Sequence, residues 1–260
     1  MTPSFLTIWG SGFLIIMGLM TLLWLLGVYL KNASIVDPFW GTGFVVLAWF
    51  YFSQTDGNNG RKLLIAILAT LWGLRLSLYL LWRNHGKGED PRYQKFRQNY
   101  GPERYWWFSF FQVFLLQGVL MLLISTPLLG AQIRGGGINW LDGLATAVFI
   151  IGFIFEAGGD FQLARFKANP ANKGKLLTTG LWRYTRHPNY FGDSAVWWGF
   201  GLFSLAAGSI WPTFGAVMMT ILIIRVSGVA LLEKNLKQSK PGYEAYVNNT
   251  NAFFPWFPKR

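Results

Sequence analysis

Seven long apolar runs recur along the 260 residues of this chain and limit what it can fold into. A helix rises about 1.5 Å per residue, so about 20 apolar residues cross a bilayer core of about 30 Å. Backbone polar groups find no water in that core, so runs of this length predict helices. The predicted spans of this all-α integral membrane protein are 5–30, 35–52, 63–82, 106–131, 138–163, 190–205 and 210–232. Because the second and sixth are short, six spans is the main alternative count.

The composition supports a membrane protein. Charged residues make up 13% of the chain, whereas a soluble domain carries about 25%. The absence of Cys excludes disulfide scaffolds, iron–sulfur clusters and thiolate zinc sites. The two histidines, His85 and His187, are too far apart in sequence to suggest a histidine metal site. We therefore expect no metal.

Basic residues are distributed unevenly between the loops of the seven-span topology. Of the 23 Lys and Arg residues, 18 lie on one side, 3 lie on the other, and Arg75 and Arg225 lie inside spans. The positive-inside rule then places the C-terminus in the cytoplasm and the N-terminus outside. Residues 1–260 are predicted to form a single transmembrane domain with cytoplasmic loops at 83–105 and 164–189 and a tail at 233–260. Membrane orientation explains the net charge of +12, so we expect a lipid bilayer and no nucleic acid as partner.

Ionisable residues inside the predicted spans are candidates for function, because charge is costly in a bilayer. Glu156 and Asp160 are four residues apart and share one helix face. Interhelical ion pairs without any chemistry are the alternative explanation. The full set is Asp37, Arg75, Glu156, Asp160 and Arg225, with Asp193 and Glu233 near span ends.

Asp37 has two interpretations. Pro38 follows it, and Asp before Pro is typical of a helix N-cap with Pro at the first helical position. The other interpretation is a proton carrier near the end of the second span. The sequence leaves both open.

The segment from Asp160 to Asp193 combines basic and aromatic residues. It holds six Lys or Arg residues and no acid between those two aspartates. Arg and Lys bind phosphates, Asn and Asp bind ribose hydroxyls, and Tyr stacks on rings, so the segment favours a phosphate-bearing aromatic ligand. An anionic lipid surface would explain the bases, but it does not need Asp160, Asn189 and Asp193.

The run GLWRYTRHPNYFGD at 180–193 resembles the C-terminal domain of membrane steroid 5-alpha-reductases, and most closely a bacterial branch of that family. The resemblance covers most of the chain from about the second span onward. Its RHPNYxG piece alone is less specific, because isoprenylcysteine carboxyl methyltransferases and related phospholipid methyltransferases carry a similar piece. Further matching motifs are WGLRL at 72–76, GEDPRY at 88–93, RVSGV at 225–229, LEK at 232–234 and PGYEAY at 241–246.

The resemblance implies a seven-helix reductase of the bacterial inner membrane with NADPH on its cytoplasmic side. In that family a hydride passes from the nicotinamide to the β carbon of an α,β-unsaturated ketone. The implied substrate is an apolar lipid or steroid-like molecule, such as a 3-oxo-4-ene steroid. The residues that would hold NADPH are Asp160, Lys167, Arg183, Tyr184, Asn189 and Asp193, with Arg75, Arg83, Arg225, Glu233, Tyr243 and Tyr246 as weaker candidates.

The same resemblance implies where a substrate ketone would bind. The steroid reductases use a Glu on the second span and a Tyr on the third, positions that fall at Asp37 and Trp72 in this chain. Asp carries a proton with a shorter reach than Glu, whereas the indole N–H of Trp72 has no usable acidity. Tyr79, two turns along the same helix, is the expected substitute. These three residues are the expected catalytic positions.

Two other functions fit parts of the sequence. An S-adenosylmethionine-dependent methyltransferase would share the turn at Arg186, His187 and Pro188 and the downstream Glu233, without needing Asp160, Lys167 and Asn189 together. A non-enzymatic lipid-binding or scaffold protein would tolerate the loss of all these polar groups.

Overall fold

The computed structural model describes residues 4–227, 229, 232, 233, 236 and 240–258. All regular secondary structure in these residues is helical. The α-helices are α1 (Phe5–Tyr29), α2 (Val36–Gln54), α3 (Asn59–Asn84), α4 (Pro91–Tyr100), α5 (Pro102–Ile133), α6 (Trp140–Ala168), α7 (Pro188–Ala206), α8 (Phe214–Ile221) and α9 (Tyr243–Asn249). A π-helical segment, Phe110–Leu115, interrupts α5, and a second, Leu222–Ser227, continues α8.

Five helices in the described part of the chain are long and apolar enough to cross a membrane. They are α1, the stretch Ala33–Gln54 that contains α2, and helices α3, α5 and α6. They match the first five predicted spans. The sixth predicted span forms the 19-residue helix α7, and the last corresponds to a shorter apolar stretch, Trp211–Val226; neither is among the five. The count of seven and the orientation of the termini stay predictions, and residues 228, 230 and 231 of the last span lie outside the described residues.

The chain divides into two compact units. The first comprises residues 1–138 and 204–212, and the second comprises residues 139–203 and 213–260. In the first unit, α2 and α3 approach at two glycines, since a Cβ on Gly41 would lie 2.0 Å from the carbonyl oxygen of Gly73. Small residues of this kind let helix backbones pack closely in membrane proteins.

Two polar loops of the first unit hold the beginnings of α2 and α4 together. The backbone N–H of Ala33 donates to Glu89 Oε1 at 2.8 Å, and the N–H of Asp90 donates to Ser34 Oγ at 3.1 Å. Asp90 also caps α4 by accepting from the N–H of Arg92 at 2.9 Å, with a Pro at the start of the helix. The first turns of α2 and α4 therefore lie side by side.

Helices α6 and α7 of the second unit pack through another pair of glycines. A Cβ on Gly192 would lie 2.2 Å from the backbone N of Glu156, and a Cβ on Gly152 would lie 2.6 Å from the backbone N of Val196. Real Cβ contacts are not this short, so a larger residue forces the helices apart. The contact places the buried acids Glu156 and Asp160 of α6 beside the first turns of α7.

Gly192→Ala should therefore destabilise the protein, by about 1–3 kcal/mol or more, because the new methyl group meets backbone atoms that cannot rotate away. The measurement is the apparent melting temperature of the detergent-purified chain. Gly143→Ala is the matched control, since no atom of the described residues lies within 4 Å of a Cβ at that position of α6. Equal melting temperatures for the two variants would contradict the close approach of α6 and α7.

Candidate functional site

The first unit contains a cluster that we call the carboxyl–tyrosine cluster: Asp37 and Trp40 on α2, Arg92 and Tyr93 on α4, and Gln117 on α5. The Tyr93 hydroxyl donates to Asp37 Oδ1 at 2.6 Å, and Arg92 Nη2 donates to Asp37 Oδ2 at 2.9 Å. The side chain of Asp37 is 13% exposed, and Tyr93 is 5% exposed. A largely shielded carboxyl group thus has two donors, one neutral and one cationic.

The hydrogen bonds of this cluster all run in one direction. The indole N–H of Trp40 donates to Gln117 Oε1, and Gln117 Nε2 donates to the Tyr93 hydroxyl at 3.1 Å. Tyr93 then donates to Asp37. Hydrogen bonds in such a chain polarise one another, so accepting from Gln117 strengthens the hydrogen bond that Tyr93 donates to Asp37. This series of hydrogen bonds ends at an acceptor, Asp37 Oδ1. A donor held in this way suits the stabilisation of negative charge on an oxygen atom.

Electrostatics keep Tyr93 protonated. Burial and the negative charge of Asp37 raise the pKa of Tyr93 above its ordinary value. Partial burial also acts to raise the pKa of Asp90, but the hydrogen bonds and charge of Arg92 bring it below its usual range. At neutral pH the cluster therefore holds a hydroxyl donor in Tyr93 and an anionic Asp90 that fixes the Arg92 guanidinium, with Nε donating to Asp90 Oδ1 at 2.9 Å.

The N-cap interpretation of Asp37 is wrong. Residue Asn32 caps a 3₁₀ turn, Ala33–Ile35, by accepting from the N–H of Ser34 at 2.9 Å, and that turn leads directly into α2. Asp37 is therefore already inside the first helical turn. Its carboxylate accepts hydrogen bonds from Tyr93 and Arg92, which lie far along the chain, so it links the first turns of α2 and α4. The proton-carrier interpretation stays a prediction.

The other two expected catalytic residues lie in different surroundings. Trp72 is 1% exposed and packs against Phe44, with ring centroids 5.8 Å apart. Tyr79 lies on α3 between Arg75 and Arg83, whose guanidinium carbons are 5.3 Å and 5.7 Å from the centre of its ring. The hydroxyl that contacts Asp37 belongs to Tyr93, which sequence reasoning did not choose. The available signal was its position at the end of the motif GEDPRY.

Residues Arg75, Tyr79 and Arg83 are spaced four apart and so form a stripe on one face of α3. The two guanidinium groups lie near the ring of Tyr79 at cation–π distances. Two of the weaker cofactor candidates are thus brought together, in an arrangement that can bind phosphate oxygens.

In the second unit, the motif RHPNY supplies a buried charge cluster. Arg186 donates through Nε and Nη2 to Glu233 Oε1 at 2.9 Å and 2.6 Å. His187 Nε2 lies 3.3 Å from the same oxygen. Burial lowers the pKa of His187, while the hydrogen bond and charge of Glu233 oppose that shift, so the imidazole is neutral at pH 7. Glu233 was an expected cofactor ligand, whereas its two partners were not.

The same arginine holds the end of the chain. Its backbone N–H donates to the carbonyl oxygen of Asn251 at 2.9 Å, and Nη1 donates to the carbonyl oxygen of Thr250 at 2.5 Å. The hydroxyl of Thr185 donates to the carbonyl oxygen of Phe253 at 2.8 Å. Arg186 therefore has a structural role, because it holds Thr250 and Asn251 in place. The sequence motif alone did not indicate this role.

Two of the expected NADPH ligands meet directly. Asn189 Nδ2 on α7 donates to Asp160 Oδ1 on α6 at 3.1 Å. Tyr246 of α9 donates to the carbonyl oxygen of Trp182, and burial raises the pKa of both Tyr243 and Tyr246. The other candidates in this unit are more open: Lys167, Arg183, Tyr184 and Arg225 are exposed, and Asp193 is half-buried on α7.

The described residues contain no group of three or more His, Asp and Glu side chains that would hold a metal ion. The polar side chains described above are suited to hydrogen bonding and to binding anions. The carboxyl–tyrosine cluster and the cluster of Arg186, His187 and Glu233 therefore offer hydrogen-bond donors, carboxyl groups and cations.

Three known proteins are similar to parts of this chain. An uncharacterized protein of Schizosaccharomyces pombe is 28% identical over 262 residues, covering 90% of this chain and 75% of that protein. A probable O-methyltransferase of Ustilaginoidea virens is 38% identical over 98 residues, 36% of this chain and 33% of that protein. The Delta(14)-sterol reductase of Arabidopsis thaliana is 34% identical over 87 residues, 30% of this chain and 23% of that protein.

No solved structure matches the chain significantly. A family model matches nearly its whole length, residues 23–250. That family is linked to steroid 5-alpha-reductase-like membrane proteins. The chain therefore belongs to the DUF1295 family, which is described as proteins of unknown function.

Proposed function

We propose that this chain is an oxidoreductase of the membrane that reduces a conjugated C=C bond in an apolar ketone, with NADPH as the hydride donor. The observation that carries the proposal is the carboxyl–tyrosine cluster. A one-way series of hydrogen bonds ends on Tyr93 and Asp37, within the first turns of α4 and α2. Reduction of an enone builds negative charge on the ketone oxygen, and a positioned donor stabilises that charge.

The chemistry assigns Tyr93 the role of donor to the ketone oxygen. When bound, NADPH supplies a hydride to the β carbon, and the electrons of the C=C bond move onto oxygen. Tyr93 donates its hydrogen bond to that oxygen in place of Asp37, and Gln117 holds the hydroxyl in position. Asp37 carries one proton, taken from water, to the α carbon of the resulting enolate, and the product is the saturated ketone.

The cofactor assignment rests on the residues expected for NADPH. Asp160 and Asn189 pair at 3.1 Å and offer hydroxyl-binding oxygen and amide groups. Lys167 is exposed in the last turn of α6, and Arg183 and Tyr184 are exposed on the segment that follows this helix, where phosphate and ring contacts are accessible. We propose that this segment faces the cytoplasm, in accordance with the distribution of Lys and Arg.

The partial similarity to the Delta(14)-sterol reductase supports a reductase acting on an apolar substrate. A 3-oxo-4-ene steroid is one such substrate, and long-chain unsaturated ketones are another. The partial similarity to a probable O-methyltransferase favours a second candidate, an S-adenosylmethionine-dependent methyltransferase. In that case the Arg186, His187 and Glu233 cluster would take part in binding the methyl donor.

Ligand-induced thermal stabilisation separates the two candidates. The detergent-purified chain is heated with NADPH, NADH or S-adenosylmethionine, and we expect stabilisation by NADPH. A ligand that binds only the folded protein adds about 2.7 kcal/mol of stability at 100 times its dissociation constant. Stabilisation by S-adenosylmethionine alone would overturn the reductase proposal.

Asn189→Ala should weaken NADPH binding while leaving the melting temperature of the ligand-free protein nearly unchanged. Within the described part of the chain the half-buried amide makes one hydrogen bond, to Asp160, so its loss removes a ligand group at the cost of that single bond. The exposed Asn248 of α9 provides the matched control, Asn248→Ala. Unchanged NADPH affinity in a folded Asn189→Ala protein would remove this residue from the cofactor site.

A further inference from the structure

A cavity of ≈ 470 Å³ in the first unit lies apart from the carboxyl–tyrosine cluster. It is formed where α1 ends and α5 begins, and none of its lining residues belongs to that cluster. Its volume is within the range of about 300–1,000 Å³ that small-molecule sites occupy. Most of the lining is apolar, including Val28, Ala33, Pro102 and Phe114.

The polar side chains in this cavity include two cations, one phenol and the hydroxyl of Ser109, which donates to the carbonyl oxygen of Trp106 at 2.9 Å. Lys31 and Arg97 line it together with Tyr105. Tyr105 is 1% exposed, and its buried hydroxyl has no hydrogen-bond partner among the described residues. A buried donor without a partner is costly, so a ligand oxygen at this position would supply what the protein does not.

The charge of the cavity favours an anion. Glu89 neutralises Arg97, with Nη2 donating to Glu89 Oε1 at 2.9 Å and Nε donating to Glu89 Oε2 at 3.0 Å. Within the described residues, the ammonium group of Lys31 makes no ion pair, and it is exposed. The net charge at the cavity is therefore positive.

The position of the cavity favours a ligand that is partly in the membrane. Helices α1 and α5 are both long and apolar enough to cross a bilayer. Trp106 lines the cavity, is 51% exposed and stacks with Trp24, whose indole N–H donates to the Trp106 carbonyl oxygen at 2.7 Å. Exposed tryptophans at the ends of spans are typical of the level of the lipid headgroups.

We propose that this cavity binds an anionic phospholipid. Its phosphate interacts with Lys31 and accepts the hydrogen bond of Tyr105, and part of an acyl chain lies along the apolar wall. The cation of Lys31 and the unpartnered phenol of Tyr105 match a phosphate headgroup. The apolar lining at the same membrane level matches the attached acyl tail. The site is independent of the proposed reductase function, since it shares no residue with the carboxyl–tyrosine cluster.

Thermal stabilisation of the full chain in neutral detergent tests this proposal. The probes are phosphatidylglycerol, phosphatidylcholine and inorganic phosphate. We expect phosphatidylglycerol at saturating concentration to raise the melting temperature by about 5–10 °C, and the other two to have little effect. Equal stabilisation by inorganic phosphate would show a site for a free anion and overturn the lipid assignment, as would equal stabilisation by phosphatidylcholine.

Two substitutions locate the effect. Tyr105→Phe removes only the unpartnered hydroxyl, so the ligand-free protein should be as stable as the native chain or more so, while the phosphatidylglycerol shift falls by at least half. Lys31→Gln should reduce the shift similarly. The exposed Tyr100 and Lys95 of α4 provide the controls, Tyr100→Phe and Lys95→Gln, which should keep the full shift. An unchanged shift in both test variants would place the lipid elsewhere.

Discussion

Tyr93→Phe is expected to lower the turnover of enone reduction by about 10²–10³-fold, the usual cost of removing one donor to a developing oxyanion. The substitution keeps the buried ring and removes the hydroxyl that joins Gln117 to Asp37. The assay follows NADPH oxidation by the purified chain with a 3-oxo-4-ene steroid and with a long-chain α,β-unsaturated ketone as probes. The stabilisation by NADPH should be unchanged, because Tyr93 is not among the expected cofactor ligands.

Two further variants sharpen this test. Tyr100→Phe, on the same helix at an exposed position, should keep full turnover. Asp37→Asn should lose most turnover, because the amide can still accept from Tyr93 but cannot carry a proton. If Tyr93→Phe and Asp37→Asn both turn over normally, the carboxyl–tyrosine cluster is structural, and the reductase proposal loses the observation that carries it.

Arg186→Leu is expected to produce the largest loss of stability, about 3–5 kcal/mol, because it leaves Glu233 without its partner. The carbonyl oxygens of Val247 and Thr250 lose their donor as well. For a chain of this size, the apparent melting temperature should fall by about 6–20 °C. The measurement is thermal unfolding of the ligand-free protein in detergent.

Arg183→Leu is the matched control, since Arg183 is an exposed arginine three residues away and its loss should change the melting temperature little. The double variant Arg186→Leu with Glu233→Leu should recover part of the loss, because an apolar pair of similar volume often replaces a buried ion pair without cost. A single Arg186→Leu variant that unfolds at the native temperature would show that this cluster does not hold the chain end.

Hydropathy and length predicted much of the fold. The first five predicted spans correspond to helices that are long and apolar enough to cross a bilayer, and their boundaries differ by a few residues. The largest difference is at the end of α6, which continues to Ala168, beyond the predicted end at residue 163. At the start of α2, a 3₁₀ turn capped by Asn32 leads into the helix before Asp37. Local signals made Asp37 a candidate cap, beside the proton-carrier interpretation, because Asp before Pro is typical of an N-cap.

The candidate site was only partly predictable. Asp37, Asp160 and Glu233 became candidates because ionisable groups in an apolar chain stand out, and Asn189 became one from the resemblance; their roles stay predictions. Tyr93 and Gln117 did not stand out, because a single Tyr or Gln on a helix has no periodic signal. Trp72 was expected from the resemblance and lies in the core beside Phe44.

The sequence by itself determined that this chain forms apolar helices, because hydropathy and helix length are properties of consecutive residues. The partners of the polar residues were decided only by the tertiary structure. Tyr93 is 56 residues from Asp37, and Glu233 is 47 residues from Arg186. Such pairs depend on which helix faces meet, and here glycine contacts such as those of Gly41 with Gly73 set how closely the helices approach. No local pattern encodes that choice, since each side chain finds its partner through packing.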